Sequence, residues 1–282
     1  MSSADASKKG LTNFVDIEAT RKRCQGYRRR ILEVSQQVTA LHIAPAFSCL
    51  EITDALYNLV MTKNSAGELE DVFLMSKGHG CMIQYIILES LGVLETRDIE
   101  LYCKPEGRLG AHPDFGNPGI HASTGSLGHG LGIATGQAYA EKLKGTSTTI
   151  YCVLSDGECQ EGSTWEALLM AANLNLSNLV AVIDNNDFSG LERMSSGHPA
   201  FYPLVEKGEA FGWEVVEVDG HDSAAIAEAI WNRSKTKPFL IVAKTVKGKG
   251  VSFMEHVPIW HYRSPNAEEY KQALIEIDGD GV

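Results

Sequence analysis

The sequence has few cysteines, and their spacing matches no common metal or redox site. Six are present among 282 residues, without a CxxC pair. This usage argues against a disulfide framework and a zinc site, and it fits a reducing compartment. Cys49, Cys81 and Cys152 lie in apolar stretches, so we expect them to be buried thiols.

Long apolar runs and an excess of positive charge are also missing. No apolar run reaches the roughly 18 residues that a membrane span requires, and the first ten residues, MSSADASKKG, lack the apolar region of a signal peptide. The net charge of -11 argues against a nucleic-acid-binding protein, which needs a basic face. We therefore expect a cytoplasmic protein that binds neither nucleic acid nor a membrane.

Apolar runs alternate with helical patterns over most of the chain. The runs predict five strands, at 71–77, 151–155, 178–184, 211–220 and 238–245. The spacing of apolar residues predicts helices at 13–38, 50–61 (amphipathic), 81–92, 125–143, 224–236 and 267–277. This alternation predicts one α/β domain over residues 12–282, with a doubly wound, mostly parallel sheet flanked by helices. Residues 1–11 are predicted to form a mobile polar tail.

Polar residues follow two neighbouring strands at the point where each strand ends. Asp156 and Gly157 come directly after the second strand, and Asn186 follows the third. The carboxyl ends of parallel strands share one edge of the sheet, where ligands bind. One carboxylate, one amide oxygen and the main-chain carbonyl near Phe188 would give Mg²⁺ (or Ca²⁺ or Mn²⁺) three ligands, with diphosphate oxygens and water completing its shell. The alternative is that both side chains only cap turns.

Glycines are concentrated where the fourth predicted helix begins, in the segment GSLGHGLGIATG (125–136). The free N–H groups and positive dipole end of a helix start favour an anion, so Gly125, Ser126 and Leu127 are candidates to contact a ligand. Alternatively, Gly128 and the later glycines only allow close helix packing.

Histidines are unusually frequent in the loops. Imidazole can both donate and accept hydrogen bonds, and it can move protons near neutral pH. A single histidine is more often structural, but several at one edge of a sheet favour a polyhydroxylated substrate. Five of the nine lie beside Gly- or Pro-rich loops: His79, His112, His121, His129 and His261.

Together these segments resemble the transketolase family, in residues and in order, over about residues 13–266. Six matches in order are far more specific than any one of them. The matching segments are ALHIAP with His42, SKGHG (76–80), AHPD with His112, GSLGHG (125–130), the signature that joins Asp156-Gly157, Glu161-Gly162 and Asn186, and AKTVKGKG (243–250) followed by Trp260-His261.

The resemblance implies a thiamine-diphosphate-binding fold and thiamine diphosphate with Mg²⁺ as cofactors. It implies a catalytic site formed by His42, His79, His112 and His261. The residues it places at the cofactor are His79, Gly125, Ser126, Leu127, Asp156, Gly157, Glu161, Asn186, Lys244 and His261. It also implies that Glu161 lies at a subunit contact, although a glutamate at a helix start is equally explained by the helix dipole. Lys77, beside His79, is expected to meet an anion of cofactor or substrate.

Only the first of the three domains usual in the family is resembled. The glutamate that activates the cofactor belongs to the pyrimidine-binding domain, which has no counterpart here. The resemblance therefore implies the N-terminal subunit of a split transketolase, working in a heterotetramer with a companion subunit. The implied reaction moves a two-carbon ketol (glycolaldehyde) unit from a ketose (phosphate) donor to an aldose (phosphate) acceptor.

Two other functions stay open at this point. The alpha subunits of 2-oxo-acid dehydrogenases share the Asp-Gly to Asn signature but lack the SKGHG segment and the late Trp-His pair. A non-catalytic module that binds thiamine diphosphate would not need the histidines. The chain also departs from the family pattern in three places, at Ser155, at His129 and at the pair Ala44-Pro45. The last departure puts the identity of the donor sugar in doubt.

Overall fold

The computed structural model describes residues 15–38 and 41–279. Its centre is a five-stranded parallel sheet with the order β1-β2-β3-β7-β6, and β4 and β5 form a separate antiparallel hairpin. The strands are β1 (Val72–Met75), β2 (Ile150–Ser155), β3 (Leu179–Asn185), β4 (Phe188–Ser189), β5 (Glu192–Arg193), β6 (Glu214–Asp219) and β7 (Phe239–Lys244). All five predicted strands are confirmed, whereas the predicted tail at 1–11 lies outside the described residues.

Helices cover both faces of the sheet. The α-helices are α1 (Ile17–Ser35), α2 (Ile43–Ser48), α3 (Leu50–Asp54, continued by a π-helical turn, Ala55–Val60), α4 (Cys81–Ser90), α5 (Thr96–Glu100), α6 (Gly130–Lys144), α7 (Gly162–Asn173), α8 (Met194–Gly197), α9 (Leu204–Ala210), α10 (Ser223–Trp231) and α11 (Ala267–Asp278). Short 3₁₀ turns occupy Gly78–Gly80, Gly157–Gln160, Pro199–Phe201 and Pro258–His261. No helix in the described ranges is long and apolar enough to cross a membrane.

The central strands are buried on both faces, which explains their unbroken apolar runs. In β2, Tyr151 and Val153 pack into the cluster that includes α1, α3 and α4. Their neighbours Cys152 and Leu154 point the other way, into the cluster built with α6 and α7. Two cores thus enclose one sheet, which confirms the doubly wound α/β fold.

The helix predicted at 50–61 is present as α3 and its π-helical continuation, but the prediction that it is amphipathic is wrong. All residues from Leu50 to Tyr57 are buried, so this segment has no exposed polar face. The reason is its place in the fold, because α3 lies among α1, α4 and α10. Its charged residues, Glu51 and Asp54, are paired with Arg28 and Arg23 instead of facing water.

The strand register brings the predicted site residues to one edge. Ser155 at the end of β2 pairs with Asp184 of β3, and Asn185 pairs with Lys244 at the end of β7. Asp156 and Asn186 therefore leave adjacent strands at the same level. This carboxyl edge is where open parallel sheets bind ligands.

Candidate functional site

A cavity of about 330 Å³ opens at the carboxyl edge of the sheet. Its lining includes most of the predicted site residues. The lining residues are His42, Pro45, His79, His112, Gly125, Leu127, Ser155, Gly157, Asn186, Phe188, Ser189, Gly190, Lys247, His261 and Tyr262. A larger and more open cleft of about 740 Å³ lies near Trp165 and Phe201, but none of the predicted site residues lines it.

Four imidazoles from distant parts of the chain meet at this cavity. The ring centre of His42 lies 6.1 Å from that of His79, 5.9 Å from that of His112 and 5.5 Å from that of His261. The rings of His79 and His261 are 5.1 Å apart. The structure therefore brings together the four histidines predicted to be catalytic. His121 and His129 do not line this cavity.

Three imidazoles of the cluster, those of His42, His79 and His261, are kept neutral near pH 7. Burial lowers the pKa of His42 to about 4, with a smaller contribution from His112. Burial, aided by Lys247, lowers the pKa of His261 to about 3, and burial, aided by Lys77, takes the pKa of His79 well below its ordinary value. Neutral imidazoles offer one donor and one acceptor each, which suits hydroxyl groups.

One of these rings has a buried atom without a partner. His42 Nδ1 makes no hydrogen bond with any described residue. A buried polar atom normally has a hydrogen-bond partner, and leaving it without one is costly. This atom is therefore available to a ligand in the cavity.

Asp156 is a buried carboxylate that is short of positive charge. Its Oδ1 accepts from the Gly157 N–H at 2.8 Å, and its Oδ2 accepts from the Asp187 N–H at 2.6 Å and the Tyr202 hydroxyl at 3.2 Å. Burial, and then repulsion by Asp184, raises the pKa of Asp156 to about 7. A bound cation would supply the missing charge, so the carboxylate fits a divalent metal.

Asn186 and Phe188 lie beside this carboxylate. Asn186 Oδ1 accepts the Phe188 N–H at 3.0 Å. A Cβ atom on Gly157 would lie 3.2 Å from the Phe188 carbonyl oxygen and 3.1 Å from Ser189 Cα, so glycine is favoured there. No group of three or more His, Cys, Asp or Glu side chains in the described ranges could hold a metal. A cation here would therefore depend on the amide and carbonyl oxygens as well as on Asp156.

The glycine-rich segment differs from its prediction. Helix α6 begins at Gly130, so Gly125, Ser126 and Leu127 lie in the preceding loop and not in its first turn. Gly125 and Gly128 have φ angles of +124° and +84°, which favour glycine and are not helical. Gly125 and Leu127 line the cavity, whereas Ser126 is exposed and does not.

Gly125→Ala is expected to lower the free energy of unfolding of the chain by about 1–3 kcal/mol, the usual cost of a strained backbone. The added Cβ would lie 2.7 Å from two atoms of the His112 ring. Gly26→Ala, at an exposed position of helix α1, is the control, because a Cβ there meets nothing within 4 Å. Gly26→Ala should raise the free energy of unfolding by up to about 1 kcal/mol, because alanine has a higher helix propensity than glycine. Equal stability of the two variants in urea would contradict this.

The two lysines of the segment AKTVKGKG occupy different environments. Lys244 has a side chain 64% exposed and pairs with Glu217 at 2.6 Å, so the structure does not bring it to the cavity. Lys247 is 2% exposed, and its Nζ contacts His261 Nδ1 and the Gly190 carbonyl, both at 2.8 Å. Burial, and then repulsion by Lys77, lowers the pKa of Lys247 to about 8.

Lys77 and Glu161 also lie outside the cavity lining. Lys77 is fully buried and paired with Asp184, so it does not meet an anion in the cavity. Glu161 is exposed and precedes α7 as its N-cap residue.

Comparison with known proteins decides the family. Residues 20–273 match the family model described as transketolase, thiamine diphosphate binding domain. This chain belongs to the transketolase family. It is 33% identical over 268 residues to a subunit of the apulose-4-phosphate transketolase of Phocaeicola vulgatus, a match covering 93% of this chain and 95% of that protein.

Longer transketolases match over only part of their length. Transketolase-like protein 2 of Homo sapiens is 39% identical over 212 residues, which cover 73% of this chain and 33% of that protein. The solved transketolase of Campylobacter jejuni superposes with a TM-score of 0.86 and 25% identity, covering 94% of this chain and 44% of that one. The chain thus spans less than half of these longer transketolases and nearly all of the Phocaeicola vulgatus relative.

Lys247 and Tyr262 are among the cavity residues of this transketolase-family chain that sequence reasoning missed. Lys247 lies three residues beyond Lys244 in the same segment, and Tyr262 follows His261. The Tyr262 ring lies 4.4 Å from that of His261 and 5.5 Å from that of His42. The available signal for Lys247 was its place in the loop after β7 at the carboxyl edge, where open parallel sheets bind ligands.

Proposed function

We propose that this chain is the N-terminal subunit of a two-chain transketolase. With thiamine diphosphate and a divalent cation, preferably Mg²⁺, the complex would move a two-carbon ketol unit from a ketose (phosphate) to an aldose (phosphate). The observation that carries the proposal is the meeting of four imidazoles with Asn186 at one edge of the sheet, next to the buried Asp156 carboxylate.

The cofactor would lie along this edge. Asp156, the Asn186 amide oxygen and the Phe188 carbonyl would hold the cation, which in turn would hold the diphosphate. Gly125 and Gly157 border this edge, where the space that a Cβ would need is filled by the His112 ring and by Ser189, so glycine lets the main chain pack closely there. When bound, thiamine diphosphate supplies the carbon nucleophile that cleaves and forms the bond beside a sugar carbonyl.

The chain's own residues orient the sugar and move its protons. The Lys247 ammonium donates to His261 Nδ1, so this imidazole carries its proton on Nε2 and acts there as a donor. His42 Nδ1 is free to pair with a substrate hydroxyl. His79 and His112 also line the cavity, where they offer further hydrogen-bond donors and acceptors to a polyhydroxylated substrate.

A companion subunit would supply the pyrimidine-binding domain. The exposed apolar side chains of α6 and α7 support a contact on this face. Gly132, Gly136, Tyr139 and Leu143 follow one another at helical spacing on α6, and all four are exposed. Leu169 and Met170 on α7 are about half exposed as well. We propose that this surface contacts other subunits in a heterotetramer.

Gly136→Leu is expected to weaken binding to the companion at least tenfold while leaving the chain folded. An ideal Cβ at this position meets nothing within 4 Å in the chain itself, so the leucine would collide only with a partner. Gly26→Leu, at an exposed position of helix α1 where a Cβ also meets nothing within 4 Å, is the matched control. Unchanged affinity of Gly136→Leu in a biolayer binding measurement would exclude this surface from the contact.

To test the reaction, the chain is tagged in its native organism, and the complex that purifies with it is assayed. A transketolase should convert a ketose phosphate and an aldose phosphate into two new sugars when thiamine diphosphate and Mg²⁺ are present. Decarboxylation of a 2-oxo acid without sugar transfer would instead support the dehydrogenase alternative. The histidines at the cavity favour the first result.

A further inference from the structure

Two charged side chains lie directly beneath the proposed cation site without reaching the cavity. Lys77 and Asp184 are fully buried, pair with each other, and are absent from the cavity lining. Lys77 Nζ also donates to the Pro45 carbonyl at 3.1 Å. Asp184 Oδ2 accepts from Lys77 Nζ, so this carboxylate is the hydrogen-bond acceptor of the pair.

Two hydroxyl groups donate their protons to the Asp184 carboxylate. Ser48 donates to Asp184 Oδ1 at 2.7 Å, and Thr245 donates to the same oxygen. Because the single hydroxyl proton of Ser48 points at Asp184, its oxygen is left to accept. It accepts from Asn186 Nδ2 at 3.0 Å.

These partners determine which way the Asn186 amide faces. Its Nδ2 donates to Ser48 Oγ and to Asp184 Oδ2, the latter at 3.2 Å. A reversed amide would place its oxygen against a carboxylate oxygen and a hydroxyl oxygen, neither of which has a proton to give. The observed orientation leaves Oδ1 on the cavity side, where one lone pair accepts the Phe188 N–H and the other is free.

We propose that Ser48 and the Lys77–Asp184 pair are positioning residues that hold the Asn186 amide oxygen toward the divalent cation. This inference rests on the proposed cation site, and it adds the groups that orient one of its ligands. Residues that orient a metal ligand from behind typically change metal affinity by about 10–100-fold when removed.

The test uses Mn²⁺ as the probe, titrated into the full chain with its companion and thiamine diphosphate and followed by electron paramagnetic resonance. Ser48→Ala should raise the Mn²⁺ dissociation constant about 10–100-fold. Thr53→Val is the matched control, because Thr53 is a buried hydroxyl on the neighbouring helix that only donates to the Cys49 carbonyl. It should leave the dissociation constant unchanged.

A second variant keeps the test valid if Ser48→Ala does not fold. Lys77→Met/Asp184→Leu removes both buried charges together, so no unpaired charge is left behind. It should also weaken Mn²⁺ binding, and the side-chain amide protons of Asn186 should exchange faster with solvent in both variants. If folded variants bound Mn²⁺ with wild-type affinity and the Asn186 amide protons exchanged at the wild-type rate, the positioning role would be refuted. The proposed cation site would stand. Absence of Mn²⁺ binding in the unmodified complex would instead refute the proposed cation site, and the inference with it.

Discussion

Asp156→Asn is expected to abolish cation-dependent binding of thiamine diphosphate and, at the same time, to stabilise the metal-free chain at pH 8. The variant keeps the size of the side chain but removes the charge that a divalent cation needs. Binding is measured by calorimetry with Mg²⁺ on the complex, and stability by urea unfolding of the chain in a chelator. Glu192→Gln, an exposed change in the β4–β5 hairpin, should alter neither quantity.

The gain in stability follows from the pKa of Asp156. The folded chain raises this pKa from 3.8 to about 7, so protonation favours folding, and stability is lost as the pH rises through 7. This rise in pKa means that the charged carboxylate lowers the free energy of unfolding by about 4 kcal/mol. Asparagine loses one backbone hydrogen bond, which leaves a net gain of about 2 kcal/mol at pH 8. The gain should shrink as the pH is lowered to 5. If Asp156→Asn were less stable than the wild type at pH 8, the expected gain in stability would be contradicted. If it still bound thiamine diphosphate with Mg²⁺, the role of Asp156 at the cation would be contradicted.

His79→Ala and His261→Ala are each expected to lower kcat/KM of the reconstituted complex by about 10²–10⁴-fold, the usual effect of removing a proton-transfer group. Both rings lie at the cavity, and both are neutral at pH 7 because their pKa values are lowered. Their protonation should therefore cause no loss of activity between pH 8 and pH 6.

The measurement is a ketol-transfer rate at several donor concentrations. His198→Ala is the control, since His198 is exposed and lies outside this cavity. If either cavity variant kept more than about half of the wild-type kcat/KM, the catalytic role of that histidine would be excluded.

The sheet and the positions of Asp156 and Asn186 at its carboxyl edge were predictable because their signals are local. Strands buried on both faces form unbroken apolar runs, as in Ile150–Ser155. Asp156 and Asn186 each follow such a run directly. A parallel sheet then places them together whatever the rest of the chain does, so short-range pattern and topology suffice.

The remaining features depend on distant contacts. Lys77 and Asp184 are 107 positions apart, and only the fold reveals that they neutralise each other. The resemblance implies Lys244, the last residue of β7, at the cofactor, whereas the turn of the following loop brings Lys247 to the cavity instead. The start of α6 was misplaced because the positive φ angles of Gly125 and Gly128 leave no trace in the spacing of apolar residues.

One experiment tests the central proposal most directly. The purified chain, its purified companion and their mixture are each assayed for transfer between a ketose phosphate and an aldose phosphate, with and without thiamine diphosphate and Mg²⁺. We predict transfer only by the mixture, and only with both cofactors present. Full transfer by this chain alone, or by the mixture without thiamine diphosphate, would contradict the account.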